Sequence, residues 1–441
     1  MEEELIDSSR LSLSRKSQLP GTGFFYPDSL DEERAEERVK EAVEDAEAVV
    51  IADTDADGLG CVALIREMYD ATLDVAAFED DVARRVERWE ADGPIDNEDE
   101  DEDEDEDEEL PRSTVALVGA GPYSLDDALE RVAEYAPEDI DAYVCDLCPD
   151  QYEWVEDELA ALLDRADSVS WYDHHQWDDE TMAAVRDAGV ELVVGESDEE
   201  CSTDVTLRSL DYDFDDRWTE LAAVTRDHDL WLKEDERSDD LADYAYWVSP
   251  EEYVAVVGAY GVDLPEIVEQ FIELRRVEKQ QLIDAALDRA EIKQVGPWTV
   301  GVTYGRCSQN EVAEGLRERG ADAAVVVKPA GSASIRGSDG FERAHEVAGQ
   351  VNGGGHPKAA GCKPDIYDDM LDYAHHWTTN GAAAKRVILA AFERVAEQVA
   401  EESEDEQVAE ESEDEQAAEE SEDEQAAETA DADDEAAETE S

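Results

Sequence analysis

The chain runs to 441 residues and carries 123 Asp and Glu against 35 Lys and Arg, a formal net charge of -88. That balance makes long-range attraction of a polyanion weak and leaves two classes, a disordered acidic chain or a folded protein whose surface stays hydrated in concentrated salt. No run approaches the roughly 18 apolar residues of a membrane span, and Met1-Glu2-Glu3-Glu4 has neither the basic nor the apolar region of a secretory signal, so a cytoplasmic protein with no membrane partner is expected.

Both classes are present in one chain. Residues 96–109 are almost pure Asp and Glu, and the end of the chain repeats Val-Ala-Glu-Glu-Ser-Glu-Asp-Glu-Gln from Val399 and again from Val408, then from Ala417 with Ala in place of Val. Like-charged blocks of this kind repel and stay solvated, so they read as a disordered insert and tail. The remainder is long enough for two domains. Six cysteines at 61, 145, 148, 201, 307 and 362 are scattered, and no disulfide framework is expected in a reducing compartment. Cys145 and Cys148 have the spacing of half a zinc knuckle, but no second pair follows, so packing at a strand end is the reading.

A helix from Asp31 to Glu47 leads into the apolar run Ala48-Val49-Val50-Ile51-Ala52, which has the length and β-branched content of a buried parallel strand. Asp53-Thr54-Asp55-Ala56-Asp57-Gly58 closes that strand, and Leu59 to Tyr69 reads as a helix. Strand and helix then alternate: strand from Thr114 to Gly119, helix from Leu125 to Tyr135, strand from Asp141 to Cys145, helix from Gln151 to Arg165, and a strand from Val169 to Tyr172 that feeds Asp173-His174-His175. Alternation of this sort predicts a parallel sheet with helices on both faces. Gly189 to Val194 adds a strand, Asp204 to Leu210 a helix, and a helix from Trp218 runs up to Arg226-Asp227-His228-Asp229-Leu230-Trp231. A helix from Pro265 to Ile292 reads as a connector, with Pro at a favourable first-turn position. Strands from Trp298, Ala323 and Ser332 build a smaller α/β unit that leads into the loop Asn352-Gly353-Gly354-Gly355-His356-Pro357. The expected divisions are an N-terminal extension (1–29), an α/β domain (30–245, with the insert at 96–109), a helical connector (246–292), a smaller α/β domain (293–396) and the acidic tail (397–441).

Carboxylates at a strand's C-terminal edge, together with a His pair, fit divalent cations, because open α/β sheets bind ligands along that edge. Cleavage of a phosphoester by two metals needs carboxylates that hold the ions about 3.5–4 Å apart, an acidified water, and cations against the non-bridging oxygens. Asp55 and Asp57 alternate along the strand exit, each able to reach a different metal, with Asp53 as ligand or orienting group. Asp146 is placed to bridge. His174 and His175 offer one imidazole to a metal and one to the phosphate or to an orienting bond, so His174, His175 and Asp146 form the catalytic set, and Asp227 closes it. Oxygen-rich sites with one or two imidazoles take manganese or magnesium over zinc. The Gly run lets backbone N–H groups approach a phosphate, with His356 as a donor. His345, His375 and His376 have no motif around them and read as structural.

These residues resemble the DHH phosphoesterase superfamily of RecJ-type exonucleases and oligoribonucleases. The matching elements are Asp53 to Gly58, the isolated Asp146 with Pro149 after it, Asp173-His174-His175, the Asp227 region, and Gly353-Gly354-Gly355-His356 with Ala359-Ala360-Gly361. They occur in the family's order and span residues from about 50 to 362. The resemblance implies a DHH domain followed by a DHH-associated domain, two Mn2+ ions with Mg2+ as the alternative, and metal ligation by Asp53, Asp55, Asp57, Asp146, His174 and Asp227. It further implies that His175 lies at the scissile phosphate, and that Gly353, Gly354, Gly355 and His356 grip the nucleotide end with Arg336 on a phosphate. Two acids stand at the fourth motif, so Asp229 is the alternative to Asp227, which is preferred for its spacing to Trp231. Nothing after Gly361 has the length of an OB-fold, which favours a short, archaeal-type substrate track in a haloarchaeal cytoplasm. The expected function is hydrolysis of single-stranded nucleic acid or short oligonucleotides to 5′-mononucleotides, with replication or repair proteins as further partners. The alternatives are hydrolysis of a cyclic dinucleotide or 3′-phosphoadenosine 5′-phosphate, and a non-catalytic nucleic-acid-binding scaffold.

Overall fold

The computed structural model describes residues 28–92, 112–121, 124–149, 151–367 and 370–400. Residues 1–27 of the N-terminal extension, the acidic insert at 96–109 and the tail from residue 401 lie outside the described residues, while residues 28–29 and 397–400 belong to helices.

Five parallel strands form the first sheet: β1 (Ala48–Ala52), β2 (Val115–Gly119), β3 (Ile140–Cys145), β4 (Ala166–Asp173) and β5 (Glu191–Val194), in the order β2-β1-β3-β4-β5. Every residue of β1 is buried, as a strand covered on both faces requires. The chain steps from β1 to one side for β2 and to the other for β3, which makes the β1/β3 boundary a topological switch point where the loops diverge. Register aligns the strand ends, with Ala52 opposite Cys145 and Cys145 opposite Tyr172. The residues that follow, Asp53, Asp146 and Asp173, therefore share one edge.

One face of this sheet is covered by α1 (Asp28–Val43), α4 (Leu125–Tyr135), α5 (Glu156–Arg165) and α6 (Asp179–Ala188), around Val49, Ile51, Val144 and Trp171. The other carries α2 (Ala56–Met68), α3 (Ala76–Asp92), α7 (Ser202–Ser209), α8 (Asp216–Asp229), α9 (Glu236–Trp247) and α10 (Pro250–Tyr260), around Val50, Leu59, Trp218 and Tyr253. Buried Arg66 ties α2 to α10 through Glu251, with 2.6 Å between Nη1 and Oε2. α2 starts three residues earlier than its apolar pattern implied, because Asp55 accepts from the N–H groups of Asp57 and Gly58 and caps it. Asp57 is thus a first-turn helical residue rather than part of an extended strand exit.

The connector is α11 (Glu266–Asp288), with Pro265 as its N-cap instead of its first turn. It leads to a six-stranded mixed sheet, β6 (Glu291–Val295), β7 (Trp298–Tyr304), β8 (Ala323–Val327), β9 (Ala333–Gly337), β10 (Gly353–Gly355) and β11 (Ala359–Cys362), ordered β10-β11-β9-β8-β7-β6. Only β7 and β8 run parallel, joined by α12 (Gln309–Glu318). A helix over 382–400 buries Ile388, Phe392 and Val395 on one face of this sheet together with α13 (Ala344–Gly349), and α14 (Met370–Thr378) precedes it. The Gly run is a strand instead of a free loop. A methyl group on Gly353 would stand 2.1 Å from Gly361 O, so only glycine lets β10 lie this close to β11.

Candidate metal centre

His174 stands at the middle of the cluster. Its Nε2 lies 3.3 Å from Asp229 Oδ2, 3.7 Å from Asp146 Oδ1 and 3.9 Å from Asp57 Oδ2. Two groups close enough to hold an ion emerge, one of Asp57, His174 and Asp229 and one of Asp146, His174 and His175. Strand ends, helix starts and a helix end each supply part of it.

The first motif is folded by its own backbone. Asp53 Oδ1 accepts from Thr54 N at 2.6 Å, and the turn closes so tightly that a Cβ on Gly58 would meet Asp53 O at 2.2 Å. Asp57 is fixed by the first turn of α7, which begins two residues before the helix expected from Asp204. Ser202 N donates to its Oδ2 at 2.7 Å, and Thr203 N and Oγ1 donate to its Oδ1 at 2.8 and 2.7 Å. These are free N–H groups of a helix start, which favour an anion. Ser202 Oγ also donates to Asp146 Oδ1 at 2.9 Å. Cys201-Ser202-Thr203-Asp204 carried a legible helix-start signal, small polar residues before an apolar stretch, but nothing in it pointed to a partner at Asp57.

Asp146 follows β3 in the left-handed region, at φ 58, a conformation that costs a non-glycine residue free energy and concentrates at functional sites. Its amide is held by Tyr172 O at 3.1 Å. At the end of β4, Asp173 is fully buried and spends both oxygens locally: Oδ1 lies 2.8 Å from His175 Nδ1, and Oδ2 accepts from Trp177 Nε1 at 2.6 Å. His175 is thereby oriented.

Asp227 and Asp229 part company. The Asp227 carboxylate is turned to the chain that follows α8, accepting from Glu234 N at 2.8 Å, Asp235 N at 3.3 Å and Ser238 Oγ at 2.7 Å. Burial would raise its pKa, but the Ser238 and amide bonds win and hold it below the ordinary carboxylate range. Two residues on, Asp229 reaches His174, and its Oδ2 is buried without a hydrogen-bond partner among the described residues. The end of the helix puts Asp229 at the cluster and Asp227 away from it.

Crowding leaves its mark on the charges. Burial first, and then the Asp55 carboxylate, push Asp53 up to about 7. Burial and Asp57 raise Asp146 and Asp229 well above the usual carboxylate range. Burial pulls His175 down, but the Asp173 carboxylate overrides it and carries the imidazole up to about 9. Among the described residues no Lys or Arg forms an ion pair with Asp53, Asp55, Asp57, Asp146 or Asp229. His174 Nδ1 is buried and unpartnered as well. Buried carboxylates packed this closely are costly unless compensated, and hard divalent cations with oxygen and imidazole ligands are the compensation this donor set fits. Nothing in it resembles a thiolate site, and all six cysteines are free.

The second sheet closes the cleft from the opposite side. His356 follows β10, and its ring stacks on His175 with centroids 6.0 Å apart and an interplanar angle of 14°. Burial and the His175 charge lower its pKa, so of the two rings His175 is the one disposed to carry a proton. Arg336 lies on β9 beside β11, with Nε donating to Asn310 Oδ1 at 2.8 Å and Nη1 to Ile335 O at 3.2 Å. Two strand-edge acidic motifs, a His pair, an acid at a helix end and a facing Gly-Gly-Gly-His strand thus meet in one cleft.

The residues on which the resemblance was read, apart from Asp227, therefore share one cleft. No family model matches the chain, and no curated protein matches it. Solved structures similar to it include exonuclease RecJ bound to manganese, at 15% identity and a TM-score of 0.44, covering 80% of this chain and 94% of that one. The DHH domain of a protein from a ribosomal protein family is similar at 15% identity and a TM-score of 0.48, covering 86% and 95%. RecJ in complex with Mn2+ from Thermus thermophilus is similar at 16% identity and 0.42, covering 82% and 55%. Likenesses at these identities and scores carry no argument about the site. No helix among the described residues is long and apolar enough to cross a membrane.

Proposed function

We propose that this protein is a metal-dependent phosphodiesterase that hydrolyses single-stranded or short oligonucleotides to 5′-mononucleotides. One observation carries the reading: three buried or half-buried carboxylates, Asp57, Asp146 and Asp229, converge on one imidazole nitrogen within 3.9 Å, with no Lys or Arg paired to them among the described residues. Asp57, His174 and Asp229 would hold one divalent cation and Asp146 a second, with Asp53 and Asp55 beside them; the oxygen-rich set favours manganese or magnesium. Such ions, when bound, acidify a water and neutralise phosphoryl oxygens.

The chain's own part is positioning and proton handling. Thr203 and Ser202 fix Asp57, so its oxygens need not reorganise as charge develops. Asp173 and Trp177 hold the His175 ring, which stands ready to donate a hydrogen bond to the phosphoryl group or to the departing oxygen. His356 presents a second imidazole from across the cleft, and Arg336 supplies a fixed fork for a phosphate.

Product analysis tests this. Purified protein in molar KCl and manganese is offered a labelled 5-mer RNA, a 30-mer single-stranded DNA, a cyclic dinucleotide and 3′-phosphoadenosine 5′-phosphate. Mononucleotides released from a polymer support the reading, and hydrolysis of a small nucleotide alone replaces it with a small-nucleotide phosphoesterase. Silence on all four with metal bound replaces it with a binding scaffold.

A further inference from the structure

The connector α11 takes part in two apolar cores. Val268, Phe271 and Ile272 bury into the first lobe with Leu274 against them, whereas Ile283 and Ala286 pack with Val312, Ala313 and Leu316 of α12, with Leu282 and Leu287 against them. A methyl group on Gly315 would stand 2.9 Å from Leu287 Cδ1, so α12 lies directly on the end of the connector. Between Leu274 and Leu282 neither core has a member among the described residues, and Val277 is exposed. Two lobes joined by one helix turn about each other where packing is thinnest.

Lys279 stands in that gap. Its Nζ pairs with the buried carboxylate of Asp243 on α9, in the first lobe, and lies 2.7 Å from Glu311 Oε2 in the first turn of α12, in the second. Arg276, almost one turn earlier on the connector, reaches Asp243 Oδ2 with Nε at 2.7 Å and Asp240 Oδ1 with Nη2 at 2.6 Å. Both of those partners belong to α9, so of the two cations Lys279 is the one that spans the lobes. Burial alone would lower the Lys279 pKa, but the Asp243 and Glu311 carboxylates override it and hold the ammonium charged.

The same turn of α12 leads on to the cleft. Asn310 Oδ1 accepts from Arg336 Nε at 2.8 Å, and Gln309 is bonded to Ser334, both partners lying on β9. Arg336 stands opposite Ala359 of β11, and Ala359 O accepts from His356 N at 2.7 Å. His356 in turn stacks on His175. We infer that Lys279 is a positioning residue: by joining Asp243 to Glu311 across the unpacked stretch of the connector, it fixes Arg336 and His356 of the second lobe opposite His175 and the carboxylate cluster. The inference rests on the phosphoesterase reading and adds to it a residue outside the cluster. Arg276 supplies a comparable hold between α9 and α11 without reaching α12, which makes it the matched control.

The test measures kcat and KM for Lys279→Met, Glu311→Ala and Arg276→Met on whichever of the four substrates above the unaltered protein hydrolyses. A misplacement of about 1 Å costs up to roughly 10²-fold, so Lys279→Met and Glu311→Ala should each lower kcat/KM about tenfold or more, with manganese affinity unchanged. Lys279→Arg, which keeps both ion pairs, should restore most of the loss. Arg276→Met should stay within about threefold of the unaltered protein, because its bridge to α12 is intact. A kcat/KM within about threefold in either Lys279→Met or Glu311→Ala overturns the inference, and so does an equal loss in Arg276→Met, which would make the network a source of stability alone. Should Lys279→Met fail to fold, Glu311→Ala decides, since that side chain is 32% exposed. Should the unaltered protein hydrolyse none of the four, the phosphoesterase reading fails separately, and hydrogen exchange decides the placement of the lobe. Faster exchange over residues 308–312 and 353–356 in Lys279→Met than in Arg276→Met supports it, and equal exchange in the two overturns it.

Discussion

The His175 and His356 rings lie nearly parallel, 6.0 Å apart, although one follows β4 of the first sheet and the other follows β10 of the second. That contact makes the reacting position a property of both lobes. Asp173 sets the His175 ring, and the Gly strand sets His356, with His356 N donating to Ala359 O at 2.7 Å. His356→Ala should therefore lower kcat/KM by 10²-fold or more, the scale of a lost proton-transfer or oxyanion donor, while manganese affinity measured by calorimetry stays within twofold. Equal loss of metal affinity would place His356 among the ligands instead.

Asp227 and Asp229 should separate under mutation. Asp229→Ala should leave a folded protein that binds manganese at least tenfold more weakly, since a ligand is gone and a repulsive buried carboxylate with it. Asp227→Ala should cost roughly 2–4 kcal/mol of stability by stranding Ser238 and the amides of Glu234 and Asp235, with metal stoichiometry retained. Chemical denaturation and calorimetry on the two variants read both effects, and the reverse pattern would restore Asp227 as the ligand.

Thr203→Val keeps the shape and removes the hydroxyl that Asp57 Oδ1 accepts at 2.7 Å. Groups that orient a ligand commonly account for 10- to 100-fold in metal affinity. A loss of about tenfold in manganese affinity, with circular dichroism unchanged, is the expected result.

Metal removal should invert the pH response of stability. In the metal-free protein Asp53 is pushed up to about 7 and Asp146 and Asp229 are raised well above their usual range. A raised folded-state pKa contributes stability that is fully present below the unfolded value, about 4, and is lost as pH climbs through the folded value. Chelated protein should thus melt lower at pH 8 than at pH 6. Ions compete with those protons, so the gain in Tm on adding manganese should be larger at pH 8 than at pH 6. Thermal melts with and without chelator at the two pH values measure this, and a gain independent of pH would mean that the carboxylates are already ionised without metal.

What the sequence made legible follows from what is local. β1 was readable because five apolar residues end in Asp53, and Asp173-His174-His175 because a strand of the same kind ends there; the parallel sheet then dictates that both motifs share an edge. Asp227 against Asp229 was not legible, because spacing along a helix end does not say which carboxylate the following turn will claim. Ser202 and Thr203 were invisible as partners of Asp57 because the contact joins residues far apart in the chain through backbone N–H groups, which carry no residue signature. The Gly run read as a loop because glycine is rare in strands, and only its pairing with β11 explains why it is one.

The most direct measurement is anomalous diffraction at the manganese absorption edge from crystals grown with Mn2+. The account predicts two peaks in the cleft, one against Asp57, His174 and Asp229 and one against Asp146. An empty cleft, or peaks confined to surface carboxylates, would contradict it.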